Sequence, residues 1–315
     1  MPPEEARPRR ARSRAKPKRA PGSESLDVRT SDGWSLRADV HEPVERPVGT
    51  AVLGHAMMAR RSSFDRPEGA GVLGRLLARG WRVVCFDFRG HGDSAPRTHE
   101  GGQYGYDDLV LQDVPAVCEF ARSRAERRTP LVLVGHSLGG HVGLASQGLG
   151  AASFDGVVGV GANVWLRELE PSPARWLVKR ATLAAVVAVC RRVGRFPART
   201  LRIGSDDESR AYFEDFDRYA RTGRWTSRAG DDYLAALGRV RVPVLQVVSD
   251  GDRIECVAES GLRFVAKCGG PHEAIRIAES DGGGAPPDHM GMVTSGRVGS
   301  VWDRVEAWMR AVPSA

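Results

Sequence analysis

The run Leu131-Val132-Leu133-Val134 and the five residues behind it, Gly135-His136-Ser137-Leu138-Gly139, constrain this chain more than any other segment. Four branched apolar residues in a row read as a strand buried on both faces. The spacing G-x-S-x-G that follows is that of a sharp strand-to-helix turn, which carries a serine hydroxyl into the open. Glycines at 135 and 139 remove the Cβ atoms that would collide where strand and helix meet. Gly140 extends the small surface, and Leu138–Leu149 reads as a helix rich in small residues. The chain has 37 glycines, so the bare spacing can arise by chance, with Ser137 merely capping a helix. The strand in front and the small residues behind favour an exposed nucleophile.

The rest of the chain alternates in the same way. Leu26–Thr30 and Trp34–His41 flank Ser31-Asp32-Gly33 and read as a hairpin. Strands are expected at Thr50–Gly54, Trp81–Phe86, Val157–Gly161, Val244–Ser249 and Ala274–Ile277. Helices are expected at Val72–Arg79, Asp107–Glu126 (interrupted by Pro115), Ile254–Lys267 and Val301–Met309. Strands that alternate with helices predict an α/β fold, with a mostly parallel central sheet flanked by helices. Residues 162–240 break the alternation. They hold Arg175–Val193, whose centre Ala181–Cys190 is nearly all apolar, and Tyr212, Phe213, Phe216 and Tyr219, spaced as one helix face. The expected organisation is a core of 23–161 and 241–315 with a helical cap inserted at 162–240. Burial of the apolar helix against the main domain is preferred over a role at a membrane surface.

The net charge of +7 is uneven. Residues 1–20 hold eight Lys and Arg against two acids, so the remainder is close to neutral and gives no sign of a nucleic-acid-binding domain. The stretch 1–22 reads as a disordered basic arm without the apolar run of a secretory signal. The five cysteines (85, 118, 190, 256 and 268) have no C-x-x-C spacing and fit reduced thiols in a cytoplasmic protein better than disulfides or zinc. No apolar run is long enough to span a membrane. Oligomeric state leaves no trace in the sequence.

A serine hydroxyl needs a base within hydrogen-bond reach, and the base needs an orienting group. On a nucleophile of this kind the acid and then the histidine follow in chain order. Three histidines lie downstream: His141, one turn along the same helix and facing the wrong way; His272, ahead of the short strand; and His289, in the glycine-rich loop after it. His289 has the position expected of the base. The acid belongs in Ser249-Asp250-Gly251-Asp252, behind strand 244–249, where Asp252 is preferred to Asp250. The oxyanion formed during acyl transfer needs N–H donors. They are assigned to the backbone of Leu138 and, from the loop after strand 50–54, of Met57, with His55 bracing that loop.

Four segments together resemble the α/β-hydrolase superfamily, in particular its capped bacterial serine hydrolases of the esterase and lipase type. Gly54-His55-Ala56-Met57 is similar to the family's oxyanion loop, with Ala56 where glycine is usual. Asp87-Phe88-Arg89-Gly90-His91-Gly92-Asp93-Ser94 is similar to its D-x-R-G-x-G-x-S loop, which is mainly structural. Residues 135–139 match the elbow, and Asp252 with Asp288-His289-Met290-Gly291 match the acid and histidine segments. The resemblance implies hydrolysis of a carboxylic ester through an acyl-enzyme on Ser137, with no cofactor and no metal. The expected partner is a small acyl substrate, apolar in view of the cap. The alternatives are thioester hydrolysis or acyl transfer on the same three residues, and a non-catalytic binding protein that kept the fold.

Overall fold

The computed structural model describes residues 23–279 and 284–314. The expected basic arm at 1–22 lies outside the described residues. Eight strands form one sheet: β1 (Ser23–Arg29), β2 (Ser35–His41), β3 (Gly49–Gly54), β4 (Trp81–Phe86), β5 (Leu131–His136), β6 (Gly156–Val160), β9 (Val244–Ser249) and β10 (His272–Ile277). The two short strands β7 (Arg195–Phe196) and β8 (Glu208–Ser209) pair apart from it. The sheet order is β1-β2-β4-β3-β5-β6-β9-β10. The opening hairpin is antiparallel and β2 pairs antiparallel with β4; every later pairing is parallel. β5, the strand of the elbow, lies in the middle, so both of its edges are hydrogen-bonded and all six of its residues are buried.

The helices are α1 (Val72–Ala78), α2 (Tyr106–Asp108), α3 (Val114–Arg124), α4 (Leu138–Leu149), α5 (Pro173–Val193), α6 (Ala198–Leu201), α7 (Arg210–Thr222), α8 (Tyr233–Leu237), α9 (Ala258–Val265), α10 (Gly291–Thr294) and α11 (Gly299–Arg310). One face of the sheet packs Val132 and Val134 with Leu76 of α1 and Val305 and Met309 of α11. The other packs Leu133 with Val117 of α3 and Val142 of α4. Each such side chain contributes about 1.5–3 kcal/mol by leaving water.

Three expectations need correction. The segment expected as one interrupted helix over 107–126 is α2 and α3 joined by a π-helical turn, Leu109–Asp113, in which the Val114 N–H donates to the Leu109 carbonyl. Pro115 has no N–H and its ring collides with the carbonyl four residues back, so the turn ahead of it widens. The helix expected from Ile254 starts only at Ala258. The amide of Cys256 is taken by both carboxylate oxygens of Asp252, at 3.0 and 3.1 Å, which keeps 250–257 as a loop. Finally, the apolar centre of α5 is not buried whole. Leu183, Val187 and Cys190 form one buried stripe against α7, while Ala184, Ala185 and Ala188 face solvent. That stripe and Tyr212, Phe213, Phe216 and Tyr219 belong to the same apolar cluster as the sheet, so residues 162–240 share the core they rest on.

Candidate active site

Ser137 stands at the C-terminal end of β5 with φ 50 and ψ −108. A residue with a side chain rarely holds a positive φ, and here the turn imposes it. Its N–H donates to the Val160 carbonyl at 2.8 Å, and the Gly139 N–H donates to the His55 carbonyl at 3.1 Å, locking the elbow to the neighbouring strand ends. A Cβ on Gly139 would lie 2.1 Å from the Gly54 carbonyl oxygen, so only glycine lets α4 begin this close to β3. Among the described residues the Ser137 hydroxyl has no hydrogen-bond partner; it forms part of the wall of a cavity of about 380 Å³.

The structure brings His289 to the same cavity. Its Nδ1–H donates to Oδ2 of Asp252 at 2.5 Å, which leaves Nε2 as the basic nitrogen of the ring. Burial alone would raise the Asp252 carboxyl. The His289 hydrogen bond and charge, with the Cys256 amide, outweigh it and hold this carboxyl below its ordinary value. Asp250 instead turns outward to Arg276, at 2.7 Å, and stays partly exposed. His272 opens β10 opposite Val244, at the far end of the parallel strands, and is exposed. His141 stacks on Tyr106 and its Nδ1 lies 2.7 Å from that phenol oxygen; burial pushes its pKa down to about 3.

The loops carrying the acid and the histidine are joined. The Ser249 hydroxyl donates to the Pro287 carbonyl at 2.6 Å and accepts from the Gly251 amide at 3.1 Å. In the loop that carries Ala56 and Met57, the buried His55 Nδ1–H donates to the Ala56 carbonyl at 2.8 Å and its Nε2 accepts from the Phe88 amide at 3.0 Å. Burial keeps this ring neutral, with a pKa near 3, about as a brace requires. The Met57 amide meets no acceptor among the described residues, and Met57 lines the cavity. The remaining lining is largely apolar: Leu183, Val186, Phe196, Phe213 and Phe216 come from residues 162–240.

The family described as Hydrolase_4, serine aminopeptidase, S33, matches residues 69–280, more than half of the chain. The chain belongs to this α/β-hydrolase family. The match includes Ser137 and Asp252 and stops short of His289. "Putative carbamate hydrolase RutD" of Variovorax paradoxus (strain S110) is 36% identical over 109 residues, 35% of this chain and 35% of that protein's length. Among solved structures, the α/β hydrolase GrgF from Penicillium sp. sh18 has a TM-score of 0.64 at 15% identity, covering 92% of this chain and 99% of that one. An esterase from Exiguobacterium antarcticum has a TM-score of 0.63 at 16% identity, over 91% of this chain and 100% of that one. At these identities the likeness concerns the fold. No described helix of this family member is long and apolar enough to cross a membrane.

Sequence reasoning missed two residues at the site of this hydrolase-family chain. His136, the residue inside the elbow ahead of the serine, is fully buried and its Nε2–H donates to the His289 carbonyl at 3.0 Å. Burial pushes its pKa down to about 3, so it holds the loop as a neutral ring. Asn163 lines the cavity, almost wholly buried, with its side-chain oxygen unpartnered among the described residues. His136 fills an unspecified position of the elbow pattern and Asn163 lies outside the motifs, so spacing marks neither.

Proposed function

We propose that the protein is a serine hydrolase that cleaves a carboxylic ester with an apolar acyl group. The observation that carries this reading is the His289–Asp252 hydrogen bond on the wall of the cavity that Ser137 also lines. Ser137 Oγ attacks the acyl carbon while its proton passes to Nε2 of His289. Asp252 accepts from Nδ1–H throughout and stabilises the imidazolium. The carbonyl oxygen, now negative, takes hydrogen bonds from the Leu138 and Met57 amides. Collapse breaks the bond to the alcohol, which leaves with the proton from His289. Water then repeats the sequence on the acyl-enzyme and frees the acid. Residues 162–240 act as the cap, and their aliphatic and aromatic side chains favour an apolar acyl chain.

Labelling with a fluorophosphonate probe tests the reading. Wild type should label and Ser137→Ala should not; an unlabelled wild-type protein overturns it. A series of p-nitrophenyl esters of increasing chain length, with a carbamate and a thioester as comparison substrates, then assigns the bond that is cleaved.

A further inference from the structure

The turn behind the proposed donor Met57 is held from the cap. Met58 sits at φ 56, in the left-handed region, where a residue with a side chain stays only if its surroundings keep it there. Both of its backbone polar groups are bound to one segment. Its carbonyl oxygen accepts from the amides of Ser205, at 2.8 Å, and Asp206, at 3.2 Å. Its N–H donates to Oε2 of Glu208 at 3.0 Å. Gly204 packs so close that a Cβ there would lie 2.7 Å from the Met58 Cβ. Two residues on, Arg60 donates to Oδ2 of Asp206 at 2.7 Å and to the Ser205 carbonyl at 2.8 Å.

Glu208, on β8, is fully buried. Besides the Met58 amide it takes the Tyr104 phenol on Oε1, and Nε2 of His91 lies 3.2 Å from Oε2. The other ring nitrogen of His91, Nδ1, lies 3.0 Å from the Arg89 carbonyl oxygen. A ring flanked by a carbonyl oxygen on one side and a carboxylate on the other donates from both nitrogens, so His91 is an imidazolium and Glu208 its counter-ion. A buried pair of this kind is strongly destabilised when one partner is removed, because the other charge stays behind.

We infer that Glu208 is a positioning residue for the oxyanion hole: paired with His91 and bonded to the Met58 amide, it fixes the left-handed turn that aims the Met57 N–H beside Ser137. The inference rests on the serine-hydrolase reading given above. The cap thereby acts on the chemistry as well as on the substrate. Loosening the turn moves a donor whose hydrogen bond strengthens as the oxyanion forms, so the loss falls on the chemical step and not on substrate binding.

The test uses the full chain. It measures kcat and KM for a p-nitrophenyl ester, affinity for a trifluoromethyl ketone that mimics the tetrahedral adduct, and fluorophosphonate labelling. Wild type is compared with Glu208→Ala and Glu208→Gln, and melting curves report folding. Removing an oxyanion donor outright costs about 100- to 1,000-fold in kcat; Glu208→Ala should cost about 10- to 100-fold. KM should stay within about threefold, and the ketone should weaken by the factor lost from kcat/KM. Glu208→Gln keeps an acceptor for the Met58 amide but deprives His91 of its counter-ion, and should fall between wild type and Glu208→Ala. A folded variant with unchanged kcat, or with a loss confined to KM, overturns the inference and leaves Ser137 as the nucleophile. If Glu208→Ala does not fold, Glu208→Gln decides by the same criteria. An unlabelled wild type overturns the hydrolase reading and this inference with it.

Discussion

Nε2 of His136 donates to the carbonyl oxygen of His289 at 3.0 Å, and the two rings lie 4.9 Å apart. The residue in front of the proposed nucleophile thus holds the backbone of the proposed base. His136→Leu leaves that carbonyl without its donor and lets the loop drift. Misplacement by about 1 Å can cost about 100-fold in rate. The expected loss in kcat/KM is about 10- to 100-fold, with fluorophosphonate labelling slowed to match. A variant that labels at the wild-type rate would show that the loop is held by other contacts.

The proposed acid Asp252 and its neighbour Asp250 carry opposite expectations. Asp252→Asn keeps the shape of the contact but favours the wrong histidine tautomer, for which a loss of about 10,000-fold in kcat is expected. Asp250 forms a partly exposed pair with Arg276, and such pairs contribute little. Asp250→Asn should therefore stay within about twofold of wild type. Steady-state kinetics on the two variants check both statements, and a larger loss in Asp250→Asn than in Asp252→Asn would reverse the assignment.

The His91–Glu208 pair makes stability depend on pH. Burial alone would lower the His91 pKa, but Glu208 outweighs it and Asp206 adds to the effect, so the folded-state value is pushed up to about 9 from 6.5. Two titratable rings also face it: His55, 5.1 Å away and neutral, and Tyr104, 5.9 Å away, whose phenol burial pushes well above its ordinary value. Between these pH values the folded state binds the extra proton, so the contribution is complete below pH 6.5 and is lost as pH rises through about 9. Melting temperature measured from pH 6 to 10 should fall in wild type and fall less in Glu208→Gln. Parallel curves would count against an ionised pair.

Val186 reaches the cavity from α5. Val186→Trp fills part of that wall and should lower kcat/KM for octanoate esters by about tenfold while sparing acetate, since pocket discrimination by size is of that order. A chain-length series on p-nitrophenyl esters reads this directly. Uniform loss across the series would mean that the acyl chain lies elsewhere.

Much of this was legible in the sequence because the parts that carry it are local. The strand and elbow at 131–139 are one continuous pattern; Asp252 and His289, proposed as acid and base, lie far along the chain, and only chain order nominates them. The sequence preferred Asp252 but kept Asp250 as a rival; in the fold Asp252 is buried toward His289 and Asp250 turns out to Arg276. Asp206, Asp207 and Glu208 look like a solvated acidic run, yet all three are buried. Each has a cation from a distant part of the chain or the next strand: Arg60, Arg195 and His91. Pairings over such separations have no periodic signature. The same holds for α5, where composition could not tell its buried stripe from the alanines facing solvent.

The left-handed turn at Met58 also bears on how a substrate of the proposed reaction would get in. Moving residues 204–208 away from this turn would strip the Met58 carbonyl of both donors and part Asp206 from Arg60 and Glu208 from His91. An opening of that kind would have to break all of these contacts in one step. An opening that leaves them in place lies where Ile203, Ile254 and Met290 line the cavity and are also exposed to solvent. For the proposed reaction, selection by size would then fall to this doorway, with the contacts behind it left intact as a guest enters.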